Sequence, residues 1–154
     1  MQISGQIKTT CPPAFLLQML NDPGAMNQIL PPNSKLSQSG TGSFAFTVTK
    51  SFGPIRLTLP GTLTVTPKGK LFDQHLQVRA AHLIGGKVDL DLGVEIAQTD
   101  GVTRVSYDGE LMATGLAGRI LKEHRTRANA VVKAALTRLK LHAEAQFSLK
   151  SAAV

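Results

Sequence analysis

Residues 87–121 read KVDLDLGVEIAQTDGVTRVSYDGELMATGLAGRIL, and two periods meet inside them. From Lys87 to Ala97 the alternation is of period two. Val88, Leu90, Leu92, Val94 and Ile96 share one face, and Lys87, Asp89, Asp91 and Glu95 share the other. That pattern is a strand with one buried face. QTDGV is a hairpin turn. TRVSYDGELMA resumes the strand and turns Val105, Tyr107 and Leu111 inward. After Thr114 the apolar residues recur every three or four, the period of an amphipathic helix. A strand pair that runs directly into a long helix places that helix where it can cover the apolar face of the sheet.

The same alternation extends back toward the N-terminus. LFDQHLQVRAAHL turns Phe72, Leu76, Val78 and Ala80 to one side, and PIRLTLPGTLTVT does so with Ile55, Leu57, Leu59, Leu63 and Val65. Pro60 inside that run argues for an edge strand or a bulge. SFAFTVTK aligns Phe44, Phe46 and Val48, and SQSGTGS before it reads as a loose turn. CPPAFLLQMLNDPGAMNQIL breaks the period and predicts two short helices, with a proline at the first start and NDPG between them. Ile3, Gly5 and Ile7 mark a first strand. Short connections make an antiparallel meander the natural pairing. The expected architecture is α+β: a curved antiparallel sheet of about seven strands wrapped on a long C-terminal helix. Residues 1–147 form one domain and residues 148–154 a short tail.

The segment from about Thr114 to Phe147 is the only long candidate to cover the sheet. On a wheel at about 100° per residue, Ala117, Ile120, Leu121, His124, Ala128, Val131, Val132, Ala135 and Leu139 fall in one sector. Arg119, Lys122, Lys133, Lys140 and Glu144 lie opposite. The apolar sector is rich in alanine and begins with Gly115 and Gly118. A helix with so few large side chains can leave an apolar cavity beneath it, the usual form of a small-molecule site. Close packing with Phe44, Phe46 and Phe72 filling the gap is the other outcome, and the sequence leaves both open.

Composition narrows the function classes. The 154 residues carry 42% hydrophobic and 18% charged side chains, an ordinary balance for one globular domain. The formal net charge is +7. From Gly115 onward there are eight Lys or Arg and two acids, against nine and eight before it, so the C-terminal third carries +6 of the excess. That basic face is either simply solvated or drawn to an acidic surface, anionic lipid or an acidic protein. No nucleic-acid partner is expected: no recognised binding motif accompanies the charge, and six Phe, one Tyr and no Trp are few rings for stacking on single strands. Cys11 is the sole cysteine, which excludes an internal disulfide framework. MQISGQIKTT lacks the basic start and apolar core of a signal peptide, and no run reaches the roughly 18 apolar residues of a membrane span. The expected address is cytoplasmic.

Catalytic constellations are weak. His75 and His82 are seven residues apart on a strand and so face opposite ways. His124 and His142 would stand about 27 Å apart on a straight helix. Neither pair can share a metal, and no metal or cofactor is expected. Cys11 begins a helix, where a thiolate gains stabilisation, but no base can be assigned to it. Asp89, Asp91 and Glu95 share the polar strand face, solvated or paired with cations across the sheet. The inward Tyr107 needs a hydrogen-bond partner, from the protein or from a ligand oxygen.

Several stretches are similar to the carbon monoxide dehydrogenase G-subunit (CoxG) family, within the helix-grip superfamily of START and Bet v 1-like ligand binders. LNDPGAMNQILPPN resembles the family's second-helix segment, although Pro31-Pro32-Asn33 stands where relatives have an IPG ending. SFGPIRLTLPGTLTV resembles a family stretch through Gly53, Pro54, Arg56 and Gly61; LIGGKVDLDLGVEI resembles its glycine-rich turn, and YDGELMATGLAGRIL its last strand entering the long helix. The resemblance spans about residues 1–147 and none of its motifs is catalytic. It implies a cytoplasmic binder of a lipid- or quinone-type ligand, partnered with a molybdenum hydroxylase of the carbon monoxide dehydrogenase type and acting in that enzyme's maturation or recruitment to the inner membrane face. Some relatives carry a long C-terminal extension, whereas this sequence ends at SLKSAAV, so membrane contact here would rest on the basic helix face or the loops at the cavity mouth.

The expectation is therefore a non-enzymatic binding protein. Ile55, Leu57, Leu76, Val78, Leu90, Leu92, Leu111, Ile120 and Val131 would line an apolar cavity, and Tyr107 and His124 would supply its polar groups. Arg119, Lys122, Lys133 and Lys140 would form the interaction surface. The alternative is an adaptor or assembly factor that works through this basic surface and leaves the cavity unused.

Overall fold

The computed structural model describes residues 1–52, 54–70, 72–82, 86–123 and 125–152. The side chains of Lys50, Ser51, Phe52, Ile55, Leu57, Ile120, Arg125 and Thr126 are also outside the description. Seven strands form one antiparallel sheet: β1 (Gln2–Thr9), β2 (Ser34–Gly40), β3 (Ser43–Phe52), β4 (Ile55–Pro67), β5 (Gln74–His82), β6 (Gly86–Thr99) and β7 (Val102–Ala113). Their order is β1-β7-β6-β5-β4-β3-β2, a meander whose first strand closes beside the last. Two short helices, α1 (Pro13–Leu20) and α2 (Pro23–Asn27), follow β1. The helical stretches α3 (Gly115–Glu123) and α4 (Arg125–Ala152) follow β7. This is the architecture read from the periodicities, a seven-stranded antiparallel sheet with a long C-terminal helix.

Local chemistry sets the element ends. Pro13 opens α1, where its missing N–H has no helical partner to lose. Asp22 caps α2 by accepting from the Ala25 N–H at 2.8 Å, with Pro23 in the first turn. Asp100 and Gly101 both have positive φ between the paired Thr99 and Val102, the two-residue turn that matches strand twist.

Three sequence expectations are corrected. Ser37–Gly40, read as part of a loose turn, belongs to β2. This edge strand is polar on both faces apart from Leu36, so its period is invisible, and polarity is how an exposed edge avoids foreign strands. Pro60 lies not in an edge strand but at a local edge of an inner one, paired on the β3 side alone. It marks where β4 leaves β5: β3 pairs with β4 on both sides of Pro60, but the β4–β5 ladder runs only from Gly61 to Pro67. The C-terminal helix, expected to end near Phe147, runs on to Ala152.

The core lies between the inner sheet face and the helices. The sheet contributes Ile3, Phe44, Leu63, Leu92 and Val94 among others; α1 adds Leu16 and Leu20, and α4 adds Leu136, Leu139 and Ala143. Two strand glycines are covered by rings from neighbouring strands. Phe46 lies over Gly61 and Tyr107 over Gly5, so a Cβ at either glycine would collide with the ring. The exposed edge of β1 is covered by α4, whose Asn129 Oδ1 accepts from the Ser4 N–H at 3.1 Å.

Candidate functional site

The inner face of the sheet is not covered evenly. Near the β6–β7 hairpin, Val94, Ile96 and Val105 meet Leu16 and Leu20 of α1 and Leu136 and Leu139 of α4. The space left among them is about 20 Å³, little more than one water sphere. Polar ties reinforce this end. Thr103 Oγ1 donates to the Cys11 carbonyl at 2.6 Å, the Cys11 N–H donates to Thr9 Oγ1 at 3.2 Å, and Thr9 Oγ1 donates to Glu144 of α4 at 3.3 Å. Phe15 and Phe147 close the outside with ring centroids 5.2 Å apart.

Along the same strands the covering thins. Leu76 and Leu92 are opposite each other and buried. Two residues further along, Val78, Leu90 and Leu111 stand in one cross-strand row and are only half-buried, as is Val88 beyond them. Above this row lies α3, which packs on β6 and β7. Its start is fixed closely: the Thr114 N–H donates to the Lys87 carbonyl at 2.9 Å, and the Lys87 N–H to Thr114 Oγ1 at 3.3 Å. Gly86 and Gly118 make the approach feasible, since a Cβ on Gly86 would collide with the Thr114 carbonyl and one on Gly118 would come within 2.8 Å of the Ala113 carbonyl. Small residues hold α3 close at its root, and they also leave little bulk to cover Leu90 and Leu111.

The structure thus brings five of the expected lining residues, Leu76, Val78, Leu90, Leu92 and Leu111, onto one apolar surface that passes from buried to half-open. Tyr107 is only 3% exposed, and burial pushes its phenol above the ordinary value, so it stays protonated at neutral pH. Its ring lies across Gly5 toward β1, away from the row of Leu90. His124 and the side chains of Ile55, Leu57 and Ile120 lie outside the described residues.

Three placements differ from the wheel. Val131 is 63% exposed and lines no part of the interior. The buried seam of α4 runs through Ala128, Val132, Leu136, Leu139, Ala143 and Phe147, rotated away from Val131. Leu136, not assigned to the apolar sector from sequence, is one of its buried residues. Arg119, Lys122 and Lys133 are exposed as expected, but Lys140 is half-buried and its stem borders the packed space beside Ile7 and Leu139. Sequence reasoning misses Arg138 altogether. It reaches from α4 to α2, with Nε donating to the Gln28 carbonyl at 3.0 Å and Nη2 to the Ile29 carbonyl at 2.8 Å. Nothing in a one-dimensional charge pattern separates this arginine from its solvated neighbours.

Cys11 and the acids of the outer sheet face are held in contacts within the protein. Cys11 is wholly buried, and burial pushes its thiol up; a hydrogen bond with Thr9 opposes this and the Glu144 carboxylate adds to it. A thiol so placed is a poor nucleophile. On the outer sheet face Arg79 bridges Asp89 at 3.0 Å and Asp91 at 3.7 Å, and His75 lies 3.7 Å from Asp91, all partly solvated. Among the described residues no three of His, Cys, Asp and Glu gather as a metal-binding group, and no helix is long and apolar enough to cross a membrane. A shallow, open groove of about 730 Å³ crosses β2, β3 and β4 near Lys35 and Pro60.

Comparison with known proteins agrees with this geometry. The family model described as the carbon monoxide dehydrogenase G-subunit (CoxG) matches residues 5–144. A conserved protein of Geobacillus kaustophilus superposes with a TM-score of 0.77 at 14% identity, covering 94% of this chain and 95% of the other. A STAR-related lipid transfer protein of Xanthomonas axonopodis gives 0.60 at 12% identity, covering 92% and 84%. A START superfamily protein of Mycobacterium smegmatis gives 0.57 at 11%, covering 88% and 93%. At these identities the structural likeness is one of fold. No curated protein is a significant match to the sequence.

Proposed function

Because the chain belongs to the CoxG family, we propose that it is a non-catalytic binding protein for an apolar small molecule, lipid- or quinone-like, serving a molybdenum hydroxylase of the carbon monoxide dehydrogenase type. The observation that carries this reading is the half-buried row Val78, Leu90 and Leu111 on the inner sheet face, in a molecule whose packed end is filled to about 20 Å³. A fold in water gains by covering such a row. A ligand chain laid along it would remove apolar surface from water at roughly 25 cal/mol per Å² before ordering costs. The solved relative whose name includes lipid transfer supports the same use of the fold. Exposed Arg119 and Lys122 on α3, next to that row, would let the protein approach an acidic enzyme or membrane surface with the site facing it.

The test is native mass spectrometry of protein purified from its own host, followed by organic extraction, with uptake of a quinone and a fatty acid measured on the emptied protein. The expected result is an apolar molecule near one per chain, and a Leu90→Trp variant that folds but loses uptake at least about tenfold, about 1.4 kcal/mol. A protein that is empty as isolated and takes up neither probe at micromolar concentration overturns the reading and leaves function to the surface.

A further inference from the structure

Helix α4 is apolar on the side that faces away from the molecule. Its inward seam is the buried one already described. On the opposite side Ala130, Val131, Ala134, Leu141, Ala145, Leu149 and Ala152 are all exposed, with Val131 at 63%, Leu141 at 58% and Leu149 at 65%. At about 100° per residue these seven fall within one sector about 100° wide, and at about 1.5 Å per residue they extend about 33 Å. A surface helix with one covered face normally presents charged and polar residues on the other. Here the second face carries an apolar stripe that no described element covers.

The charge around the stripe has one sign. Arg127 and Arg138 stand within the sector, and Lys133 lies beyond its margin, all exposed. The single acid of α4, Glu144, is half-buried and accepts from Thr9. The outer face of α4 therefore offers cations and no free carboxylate. A second copy of the chain would bring the same cations and nothing to answer them. A lipid surface would match the charge, but helices that seat in the interface use bulky side chains. Four of these seven residues are alanine, which inserts little area and instead lets another helix backbone come close. Large residues spaced among small ones give the ridges and grooves of helix-on-helix packing.

We propose that the outward face of α4 docks an acidic amphipathic helix of a partner protein, seated on Val131, Leu141 and Leu149 with its carboxylates against Arg127 and Lys133. The surface is distinct from the half-buried row under α3 and does not depend on that row binding anything. It is also not simply the basic face expected from sequence, because apolar residues flank Arg138, whose guanidinium is turned to the Gln28 and Ile29 carbonyls, while Arg127 stands at the N-terminal end of the stripe and Lys133 beyond its margin.

The full chain tests this with two synthetic helical peptides of identical leucine pattern, one flanked by glutamate and one by lysine, together with phosphatidylcholine–phosphatidylserine vesicles and sedimentation of the protein alone. The glutamate peptide is expected to bind, more weakly as salt rises, and the lysine peptide to bind at least about tenfold less well. Leu141→Asp, at an exposed position with no structural partner, should keep the melting curve and lose the glutamate peptide. Paired Arg127→Glu and Lys133→Glu substitutions should reverse the preference toward the lysine peptide, an exchange that a merely destabilised protein would not show. Equal binding of the two peptides, or of neither, overturns the proposal. Vesicle binding or self-association that Leu141→Asp removes, without peptide binding, also overturns it and assigns the face to lipid or to a second copy.

Discussion

The two ends of the inner sheet face are built from the same strands with the same alternation, and they are covered differently. At the hairpin end, Val94, Ile96 and Val105 are capped by leucines from α1 and α4, and almost no space remains. At the other end, Val78, Leu90 and Leu111 point the same way but stay half-buried, where α3, opening on Gly115 with Gly118 one turn on, packs on β6 and β7. The sheet does not decide which part is closed core and which part is half-open. The covering helices do, by the size of the side chains they bring. On the proposed reading, stability and binding are thereby separated along one set of strands.

Truncating one leucine at each end exposes that separation most directly. Leu139→Ala at the packed end leaves a void that its neighbours cannot fill, and is expected to cost about 2–5 kcal/mol in urea unfolding. Leu90→Ala at the half-open end should cost less than about 1.5 kcal/mol yet weaken uptake of an apolar probe. Similar losses of stability at the two positions would mean that the ends are packed alike, and the distinction would fail.

The next effect lies at the seam that holds α3 over the half-open row. Gly86 has φ of 85° and its missing Cβ faces the Thr114 carbonyl, whereas Gly69 has φ of 68° with open space beside it. Ala at either position is strained by its backbone, but only at Gly86 must the strand also move from the start of α3. Gly86→Ala should cost about 1–3 kcal/mol and change ligand uptake. Gly69→Ala should cost about 1 kcal/mol and leave uptake alone. If Gly69→Ala disturbed uptake equally, the position of α3 would not be what shapes the site.

The same comparison explains what can be read in advance. The strands and the Asp100-Gly101 turn are legible because each has a local cause: alternation against one core, and positive φ in a tight turn. Ser37–Gly40 is not, since an edge strand polar on both faces has no period to show. Val131 falls inside on a wheel because α4 is apolar on both sides. With Val131, Leu141 and Leu149 outside and Leu136, Leu139 and Ala143 inside, a wheel cannot say which stripe meets the sheet. Strand parity alone fixes the face of Leu76, Val78, Leu90, Leu92 and Leu111. The difference between buried Leu92 and half-buried Leu90 depends on α3, which no strand pattern contains.

The smallest expected effect is one of pH, and it marks the closed end as closed. Burial raises the Cys11 thiol and the Tyr107 phenol above their ordinary values. Each group therefore holds its proton more tightly in the folded chain than in the unfolded one. Below the ordinary thiol range both states are protonated and the stability is whole. As pH rises from there toward the raised folded value, the unfolded chain loses the Cys11 proton first, so unfolding becomes easier; the phenol repeats the effect at higher pH. Urea midpoints measured from neutral to alkaline pH should fall accordingly. Cys11→Ala should remove the first part of the decline, and Tyr107→Phe the part above it. An unchanged decline in Cys11→Ala would show that water already reaches the thiol, and that the end of the sheet sealed by Thr9, Thr103 and Glu144 opens as readily as the end under α3.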